Sequence, residues 1–251
     1  MPFFISLIPK KENSLDIKDF RPVSIGNNVP KIISKIIASR LGNIVVRLIT
    51  SNQFAFVPGR SIQTCLLTAS ECVNSMKKKT RDGSFALKLD ILKAFDNIKW
   101  SFIFSILMKH GFSNTFMNLV IMILRSARLS ILINGSPRGY FWCSRGFRQG
   151  DPISGLLIAI TEDYLSIFLN DTVQASLYGK IKVGRDLLAL SHLLYADDIQ
   201  LFGQADKVTI SSIQKMFFHY EEIYGQVISW HKSFVVFGNG MIFSKQNSIS
   251  W

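Results

Sequence analysis

The stretch Leu193-Leu194-Tyr195-Ala196-Asp197-Asp198-Ile199-Gln200-Leu201-Phe202 places two adjacent carboxylates between two short apolar runs. Apolar runs of this length on either side of a small polar segment are typical of a strand, a tight turn and a second strand. At a tight turn, neighbouring side chains can converge on one ligand. We therefore predict a β-hairpin whose tip carries Asp197 and Asp198.

A third acid stands at the end of another predicted strand, Phe85–Asp90, and can join the pair only through the fold. Three carboxylates about 4 Å apart would repel one another by about 4 kcal/mol per pair at an effective dielectric of about 20, so such a cluster favours a bound cation. Oxygen ligands of this kind suit Mg²⁺ or Mn²⁺, and a pair of such ions commonly serves displacement at phosphorus. An Asp-Asp turn by itself is more often a solvated loop, so its surroundings decide between the two interpretations.

The composition favours a folded, basic domain. The chain has 251 residues, of which 48% are hydrophobic, and this is ample for a core. Its 29 Lys and Arg against 17 Asp and Glu give a net charge of +12, as expected of a nucleic-acid binder, although a basic protein without a polyanionic partner also fits. The three cysteines are odd in number and lack metal-ligand spacing, so we expect no disulfide framework and a reducing compartment.

Targeting signals are not legible in the sequence. The apolar runs fall well short of the ~18 residues of a membrane span. The N-terminal segment lacks a basic region and a cleavage site for a signal peptide, and it reads instead as the inside of a strand. We therefore expect an intracellular protein of the nucleus and cytoplasm that is not secreted and has no membrane partner.

Helical periodicity alternates with hairpin signals along the chain. Helices are predicted after Pro30 and over residues 62–78, 100–109, 116–126, 152–170 and 213–224. Asp151 is predicted to cap the helix that Pro152 opens. A second hairpin is predicted around the turn Gly135–Gly139, and Phe234–Phe237 is predicted to be a last strand. Helices interleaved with antiparallel hairpins indicate the α+β class.

Four groups of segments, in this order along the chain, resemble the fingers and palm motifs of reverse transcriptases of non-LTR (LINE-type) retrotransposons such as those of plant genomes. They are Asp19–Ser24 with Lys31–Lys35 and Gln53–Arg60, then Leu89–Asp96, then Arg145–Ser154, then Tyr195–Asp198 with Gly225–Ser233. The resemblance covers nearly the whole chain. It implies one reverse transcriptase domain over residues 1–251, with an antiparallel palm sheet backed by helices and with partial fingers. Residues 1–83 would be rich in fingers and 84–251 rich in palm, and we expect a truncated copy in which the thumb is missing.

The resemblance also implies roles for the matching acids and lysine. Asp90, Asp197 and Asp198, together with Ile91, would hold two Mg²⁺ ions, or Mn²⁺ in their place, that activate the primer 3′-hydroxyl and bind the triphosphate. Lys232 would be catalytic with the three acids, as a general acid near the leaving pyrophosphate. The ordinary interpretation of Lys232 is a solvent-facing lysine. We further predict that the three carboxylates converge on one side of an antiparallel sheet.

Other residues of the motifs are implied to contact nucleotide or template. Phe95 would stand against the sugar and leave no room for a 2′-hydroxyl, unless it is an ordinary core phenylalanine. The loop residues Arg148, Gln149 and Gly150 would bind the nucleotide, although a well-made helix start explains Gly150 equally well. Template or triphosphate contacts are expected from Arg21, Lys31 and Lys35.

These inferences predict an RNA-directed DNA polymerase core that adds deoxynucleoside triphosphates to a DNA primer on an RNA template, with no protein partner indicated. One alternative is a catalytically inactive, nucleic-acid-binding remnant of such a polymerase. Another is a different palm-like two-metal enzyme, such as a nucleotide cyclase. Against the cyclase stand the loop Arg148-Gln149-Gly150 and the basic charge, since a small-molecule substrate needs neither.

Overall fold

The computed structural model describes residues 2–26, 28–77, 83–126, 128–181 and 189–239. The strands are β1 (Pro2–Pro9), β2 (Phe20–Gly26), β3 (Ser84–Asp90), β4 (Arg128–Ile133), β5 (Ser136–Trp142), β6 (His192–Tyr195), β7 (Asp198–Gln204) and β8 (Phe234–Phe237). The helices are α1 (Asn28–Leu48), α2 (Ile62–Ser75), α3 (Ala94–Asn97), α4 (Trp100–Lys109), α5 (Asn114–Arg125), α6 (Ser154–Gln174) and α7 (Lys207–Tyr224). Short 3₁₀ turns lie at Ile17–Asp19 and Trp230–Lys232. This is the α+β arrangement that the sequence predicts.

The chain divides into two compact units, each made from two separate segments. The first unit comprises Met1–Leu48 and Phe95–Ile158, and the second comprises Ile49–Ala94 and Ala159–Trp251. Each unit contains one four-stranded sheet. These two units do not correspond to the predicted fingers-rich part (1–83) and palm-rich part (84–251), so that division stays a prediction.

The sheet of the first unit has the strand order β2-β1-β4-β5. Strand β1 pairs antiparallel with β2 and parallel with β4. The hairpin between β4 and β5 turns at Asn134 and Gly135, whose φ angles are 50° and 77°. The predicted turn over Gly135–Gly139 is therefore wrong, because Asn-Gly accepts the left-handed conformation twice and closes the hairpin in two residues.

Helix α6 begins at Ser154, so the prediction that Pro152 opens it under an Asp151 cap is also wrong. The Asp151 carboxylate instead forms an ion pair with Arg148, with 2.7 Å between Nη2 and Oδ2, and accepts a hydrogen bond from the Ser34 hydroxyl. The Ser34 oxygen in turn accepts a hydrogen bond from the Ile153 amide at 3.1 Å. One local partner, Arg148, and one distant partner, Ser34, therefore bind the carboxylate that capping rules assign to the helix end. The helix that we predicted to end at Lys78 ends at Ser75, and Lys78 itself lies outside the described residues.

The sheet of the second unit is antiparallel throughout, with the strand order β6-β7-β3-β8. Because side chains alternate along a strand, β3 buries Phe85, Leu87 and Leu89 on one face. Leu87 and Leu89 line a hollow together with residues of α7. On the opposite face, Ala86 packs in a cluster with Cys65 and Cys72 of α2. Further along that face, Lys88 and Asp90 stay half-buried. One face of this sheet therefore remains open to solvent at the end that carries the acids.

Two general features complete the fold. All three cysteines are free thiols, as the sequence predicts. Among the residues that the structure describes, no helix is both long enough and apolar enough to cross a membrane.

Candidate active site

Asp90 and Asp198 lie directly opposite each other at the open end of the second unit's sheet. Strand β3 ends at Asp90, β7 begins at Asp198, and the two residues are Cα partners in the antiparallel ladder. Cross-strand partners project their side chains from the same face of a sheet. The fold therefore brings these two acids together on one face, as predicted.

Asp197 occupies the turn between β6 and β7, next to Ala196, whose φ angle is 54°. The Asp197 carbonyl accepts a hydrogen bond from the Ile91 amide at 3.1 Å, which ties this turn to the end of β3. Partial desolvation raises the pKa of the Asp197 carboxyl, and the charges of Asp198 and Asp90 raise it further. Its backbone hydrogen bond and Lys232 act on that pKa in the opposite direction. Asp197 thus carries its charge against the repulsion of two neighbouring acids.

Two lysines hold the paired acids. Lys88 Nζ lies 2.9 Å from Asp198 Oδ1, and Lys232 Nζ lies 3.0 Å from Asp90 Oδ2. Within the described ranges, no group of three histidine, cysteine, aspartate or glutamate side chains is placed so that it could hold a metal ion. Asp90 and Asp198 are therefore engaged as ion pairs, and the convergence of all three carboxylates on one ion stays a prediction.

A segment that follows α7 pairs with the backbone just after β3, on both sides of Ile91. The Leu92 amide donates to Val227 O at 2.8 Å, and the Ser229 amide donates to Asp90 O at 2.7 Å. Between them, Ile91 forms an isolated antiparallel bridge with Ile228. Lys232 follows directly in a 3₁₀ turn and is thereby carried to Asp90. The metal-holding role of Ile91 stays a prediction.

Arg148, predicted to bind nucleotide, is buried in the first unit and has several partners there. Besides the ion pair with Asp151, its Nη2 donates to Ile123 O at 2.8 Å, and its guanidinium lies 4.5 Å from the centre of the Phe3 ring. Burial lowers the pKa of Arg148, and the Asp151 carboxylate acts on it in the opposite direction. In this arrangement Arg148 fastens the loop before α6. Its neighbours are more accessible, since Gln149 is half-buried and Gly150 is exposed.

Phe95 lies in α3, in the first unit, and is half-buried. Its carbonyl accepts a hydrogen bond from the Phe147 amide at 2.6 Å. A Cβ atom at Gly146 would lie 2.6 Å from the Asp96 carbonyl oxygen, so only glycine permits this close approach. The loop that carries the predicted nucleotide contacts therefore packs directly against the helix that carries Phe95.

The predicted template contacts also belong to the first unit. Lys31 lines a small hollow together with Arg148, Gln149 and Gly150. Arg21, on β2, and Lys35, on α1, are exposed. The contacts of these residues with a template or a triphosphate stay predictions.

Sequence reasoning overlooked the partner of Asp198 and a buried acid. Lys88 precedes Asp90 by two positions in a strand, so alternation alone places both on one face and could have identified it. Glu162 lies in the apolar helix α6 and contacts Tyr220 of α7. No local pattern marks Glu162, because its partner comes from a distant part of the chain.

Known proteins are similar to this chain in sequence and in fold. A family model described as reverse transcriptase (RNA-dependent DNA polymerase) matches residues 8–251. A 149 kDa protein of transposon TX1 from Xenopus laevis is 30% identical over 91% of this chain and 17% of its own length. A Pol polyprotein of a type-1 R2 retrotransposable element from Nasonia vitripennis is 28% identical over 84% of this chain and 19% of its own length. The chain thus spans less than a fifth of either relative.

Solved structures of telomerase share the fold at low sequence identity. Telomerase from Candida tropicalis with a fragment of telomeric RNA superposes with a TM-score of 0.68 at 14% identity, over 96% of this chain and 42% of that one. Apo telomerase from the same organism, truncated of its C-terminal domain, gives 0.66 at 13% identity, over 95% of this chain and 50% of that one. The predicted α+β fold with a polymerase palm is thereby confirmed.

Proposed function

Because the chain belongs to the reverse transcriptase family, we propose that it forms the catalytic core of an RNA-directed DNA polymerase of a non-LTR (LINE-type) element. Its substrates would be an RNA template, a DNA primer and deoxynucleoside triphosphates. The primer 3′-oxygen would form a bond to the α-phosphorus of the nucleotide, and the bond to pyrophosphate would break. Relatives from transposon TX1 and from an R2 element support this assignment.

The observation that supports the proposal most is the pairing of Asp90 with Asp198 across the β3–β7 ladder. Asp197 adjoins them in the turn, and Lys232 reaches Asp90 from a third segment. Three segments of the chain thus contribute candidate catalytic residues near the end of one sheet. A purely structural acid pair would gain nothing from a third acid, which raises the repulsion among them.

The donor set fits Mg²⁺ in kind, because Mg²⁺ prefers carboxylate oxygens. Asp90, Asp197 and Asp198, with Ile91 beside them, would hold a pair of ions, and Mn²⁺ could take their place. When bound, such ions lower the pKa of the primer hydroxyl and offset the charge of the triphosphate. Asp90 and Asp198 would exchange their lysine partners for this role. The raised pKa of Asp197 supports the assignment, because a cation would relieve the repulsion that contributes to it.

Lys232 would act as a general acid. Its ammonium group carries protons on a flexible stem and its side chain is 67% exposed, so it can leave Asp90 and reach a neighbouring phosphate. It would donate a proton to the oxygen of the departing pyrophosphate. Lys88, which forms an ion pair with Asp198, would keep the side chain of that acid oriented until substrate arrives.

Residues of the first unit would select and hold the nucleotide and the template. The Phe95 ring would exclude a 2′-hydroxyl, while Gln149 and Gly150 would contact the nucleotide from their loop. Arg148 would act mainly by holding that loop in shape through Asp151. Arg21, Lys31 and Lys35 would neutralise phosphates of the template or the triphosphate.

A catalytically inactive, nucleic-acid-binding remnant is the second candidate. The lysine pairs favour it, because Lys88 and Lys232 form ion pairs with two of the acids. The net charge of +12 serves nucleic-acid binding in either case.

Primer extension on an RNA template with Mg²⁺ tests the proposal. We expect the wild-type chain to add deoxynucleotides and Asp197→Asn to lose at least about 100-fold in rate while RNA binding is retained, because the change removes a ligand charge and almost no volume. Asp171→Asn, an identical change at an exposed position of α6, is the matched control and should leave extension unchanged. A wild-type chain that binds RNA but extends no primer with Mg²⁺ or Mn²⁺ would support the remnant.

A further inference from the structure

Three buried polar residues lie together in the second unit, away from solvent. Glu162 of α6, Tyr220 of α7 and Gln226 just after α7 are 2%, 1% and 1% exposed. The Tyr220 hydroxyl lies 2.8 Å from Glu162 Oε2 and also contacts Gln226 Oε1. The Gln226 amide nitrogen lies 3.4 Å from Ala94 O. Buried polar groups cost free energy unless they are hydrogen-bonded, and these three satisfy one another.

Tyr220 stands at the centre of these hydrogen bonds, between Glu162 and Gln226. Gln226 donates its N–H to Ala94 O and therefore presents its carbonyl oxygen to Tyr220. The Tyr220 hydroxyl donates to Glu162 Oε2 and also contacts Gln226 Oε1, so a single phenol group joins the two side chains. Burial raises the pKa of Glu162 to about 7, although its bonds to Tyr220 and Gln226 lower it. These contacts form a chain that runs from Glu162 through Tyr220 and Gln226 to Ala94.

Gln226 begins the segment whose backbone is hydrogen-bonded to Asp90 and Leu92. Helix α7 stops at Gly225, whose φ angle of 71° suits glycine, and the chain then turns towards the end of β3. Val227 O and the Ser229 amide bond to the backbone of Leu92 and Asp90, and Lys232 follows three residues later. A second anchor is the Glu221 carboxylate, which accepts a hydrogen bond from the Ile228 amide at 2.9 Å.

We propose that Glu162, Tyr220 and Gln226 are positioning residues that hold residues 226–233 in register against Asp90 and thereby place Lys232 at the candidate active site. None of the three touches the reacting atoms. The effect on catalysis rests on the proposed function, whereas the effect on the segment does not.

The chemistry of the three residues favours positioning over packing. An apolar core would avoid the desolvation cost of a carboxyl and an amide, as it does at the buried Leu165 and Leu169 of the same helix. Hydrogen bonds, unlike apolar contacts, specify one arrangement of their partners. The side chain of Gln226, the first residue of the segment 226–233, is thus held in one orientation by its hydrogen bonds.

Amide hydrogen exchange of the intact chain tests the positioning directly, without any catalysis. Glu162→Leu removes the acceptor of the Tyr220 hydroxyl, and we expect exchange at Leu92 and Ser229 to accelerate by about tenfold more than in the rest of the second unit, since one hydrogen bond is lost. Glu162→Gln keeps an acceptor oxygen for the Tyr220 hydroxyl and should restore rates to within about twofold of the wild type. Leu165→Ala, a cavity in the same helix outside the chain of bonds, is the matched control. If Glu162→Leu, like Leu165→Ala, changed amide exchange evenly across the second unit, with no excess at Leu92 and Ser229, the proposal would be overturned.

Tyr220→Phe provides a second variant if Glu162→Leu does not fold. It removes only the hydroxyl that joins Glu162 to Gln226, so the ring packing with Tyr224, 4.3 Å away between ring centroids, is kept. We expect the same local acceleration at Leu92 and Ser229. Unchanged rates there would contradict the proposal, because Gln226 would then need no partner to hold its segment.

Steady-state primer extension tests the catalytic consequence. We expect Glu162→Leu to lower kcat by about tenfold with KM for the nucleotide within about twofold, because a misplaced Lys232 affects the chemical step. In a Lys232→Ala background the same change should cost less than about twofold, since the group being positioned is gone. Losses that multiply would show that Glu162 acts independently of Lys232. A wild-type chain without activity would refute the proposed function and leave hydrogen exchange to decide this inference.

Discussion

Lys232 Nζ donates a hydrogen bond to Asp90 Oδ2 across 3.0 Å, although the two residues lie 142 positions apart in the sequence. The lysine side chain is 67% exposed and the aspartate side chain is 14% exposed. An ion pair this open to water stabilises a protein by only about 0–1 kcal/mol. Lys232 is therefore held close to the acids but can leave Asp90 at little cost when a phosphate arrives.

Replacement of Lys232 should affect the rate of extension. We expect Lys232→Ala to lower kcat for single-nucleotide extension by about 100-fold, because the leaving pyrophosphate loses its general acid. Lys215→Ala, at an exposed position of α7, is the control for the loss of one positive charge and should change kcat by less than about twofold. Equal effects of the two substitutions, measured by rapid quench, would assign Lys232 a merely electrostatic role.

Phe95→Ala should change the choice of sugar. If the ring excludes a 2′-hydroxyl, its removal should raise ribonucleotide over deoxyribonucleotide incorporation by about tenfold or more. The ratio of kcat/KM values for the two nucleotides measures this. Phe218→Ala, at a side chain that is 73% exposed on α7, serves as the control. An unchanged ratio would make Phe95 an ordinary packing residue.

Arg148→Met should destabilise the protein, because it leaves the Asp151 carboxylate buried without its ion-pair partner. Loss of one member of a buried pair costs about 3–5 kcal/mol in the free energy of unfolding, which urea denaturation measures. The double variant Arg148→Met with Asp151→Leu should recover much of that loss, since no charge is then stranded. A cost below about 1 kcal/mol for the single variant would indicate that Arg148 is free to serve a ligand.

Stability should fall as the pH rises through the range in which Glu162 ionises. Burial raises the pKa of Glu162 from 4.5 to about 7, so the folded state holds a proton that the unfolded state releases above pH 4.5. Stability from this group is therefore complete below pH 4.5 and is lost up to about pH 7, amounting to roughly 3 kcal/mol. Urea unfolding at pH 5 and pH 8 should show this loss in the wild type but not in Glu162→Gln. A loss of equal size in both proteins would place its origin elsewhere.

Binding of an RNA template should weaken steeply with salt. Lysines and arginines that contact phosphates displace condensed cations, so the logarithm of the affinity falls linearly with the logarithm of salt concentration. The net charge of +12 favours several such contacts. Arg21→Ala should reduce the slope by about 1 in a fluorescence-anisotropy titration if that residue touches a phosphate. A slope identical to that of the wild type would remove Arg21 from the binding surface.

Local signals predicted much of the fold, and long-range contacts account for most of what they missed. Helix α4 spans Trp100–Lys109, as its periodicity predicts, and the hairpin of Asp197 and Asp198 forms because alternation and a tight turn agree. Asp151 does not cap α6, because its carboxylate forms an ion pair with Arg148 and accepts a hydrogen bond from Ser34. The Asn134-Gly135 turn, by contrast, was a local signal that the longer Gly135–Gly139 interpretation overlooked.

The sequence also predicted some residues of the candidate site and missed others. The predicted hairpin and strand pointed to the three acids, and the resemblance to reverse transcriptases added Lys232; the fold joins Asp90, Asp198 and Lys232 by backbone pairing or an ion pair. It could not identify Glu162, whose importance depends on Tyr220 and Gln226 from a later part of the chain. Lys88 lay within reach of sequence reasoning, since strand alternation alone puts it beside Asp90.

The outermost strand of the first sheet, β5, is exposed along its whole length. An unpaired edge of this kind is a template on which a strand of another molecule can add, the first step of edge-to-edge aggregation. Within β5, Pro137 lacks an amide donor, Gly139 weakens extended pairing and Arg138 brings a charge. Together these residues make β5 a poor template, so we expect strand addition along β5 to stay unfavourable until Pro137 and Arg138 are replaced by β-branched apolar residues.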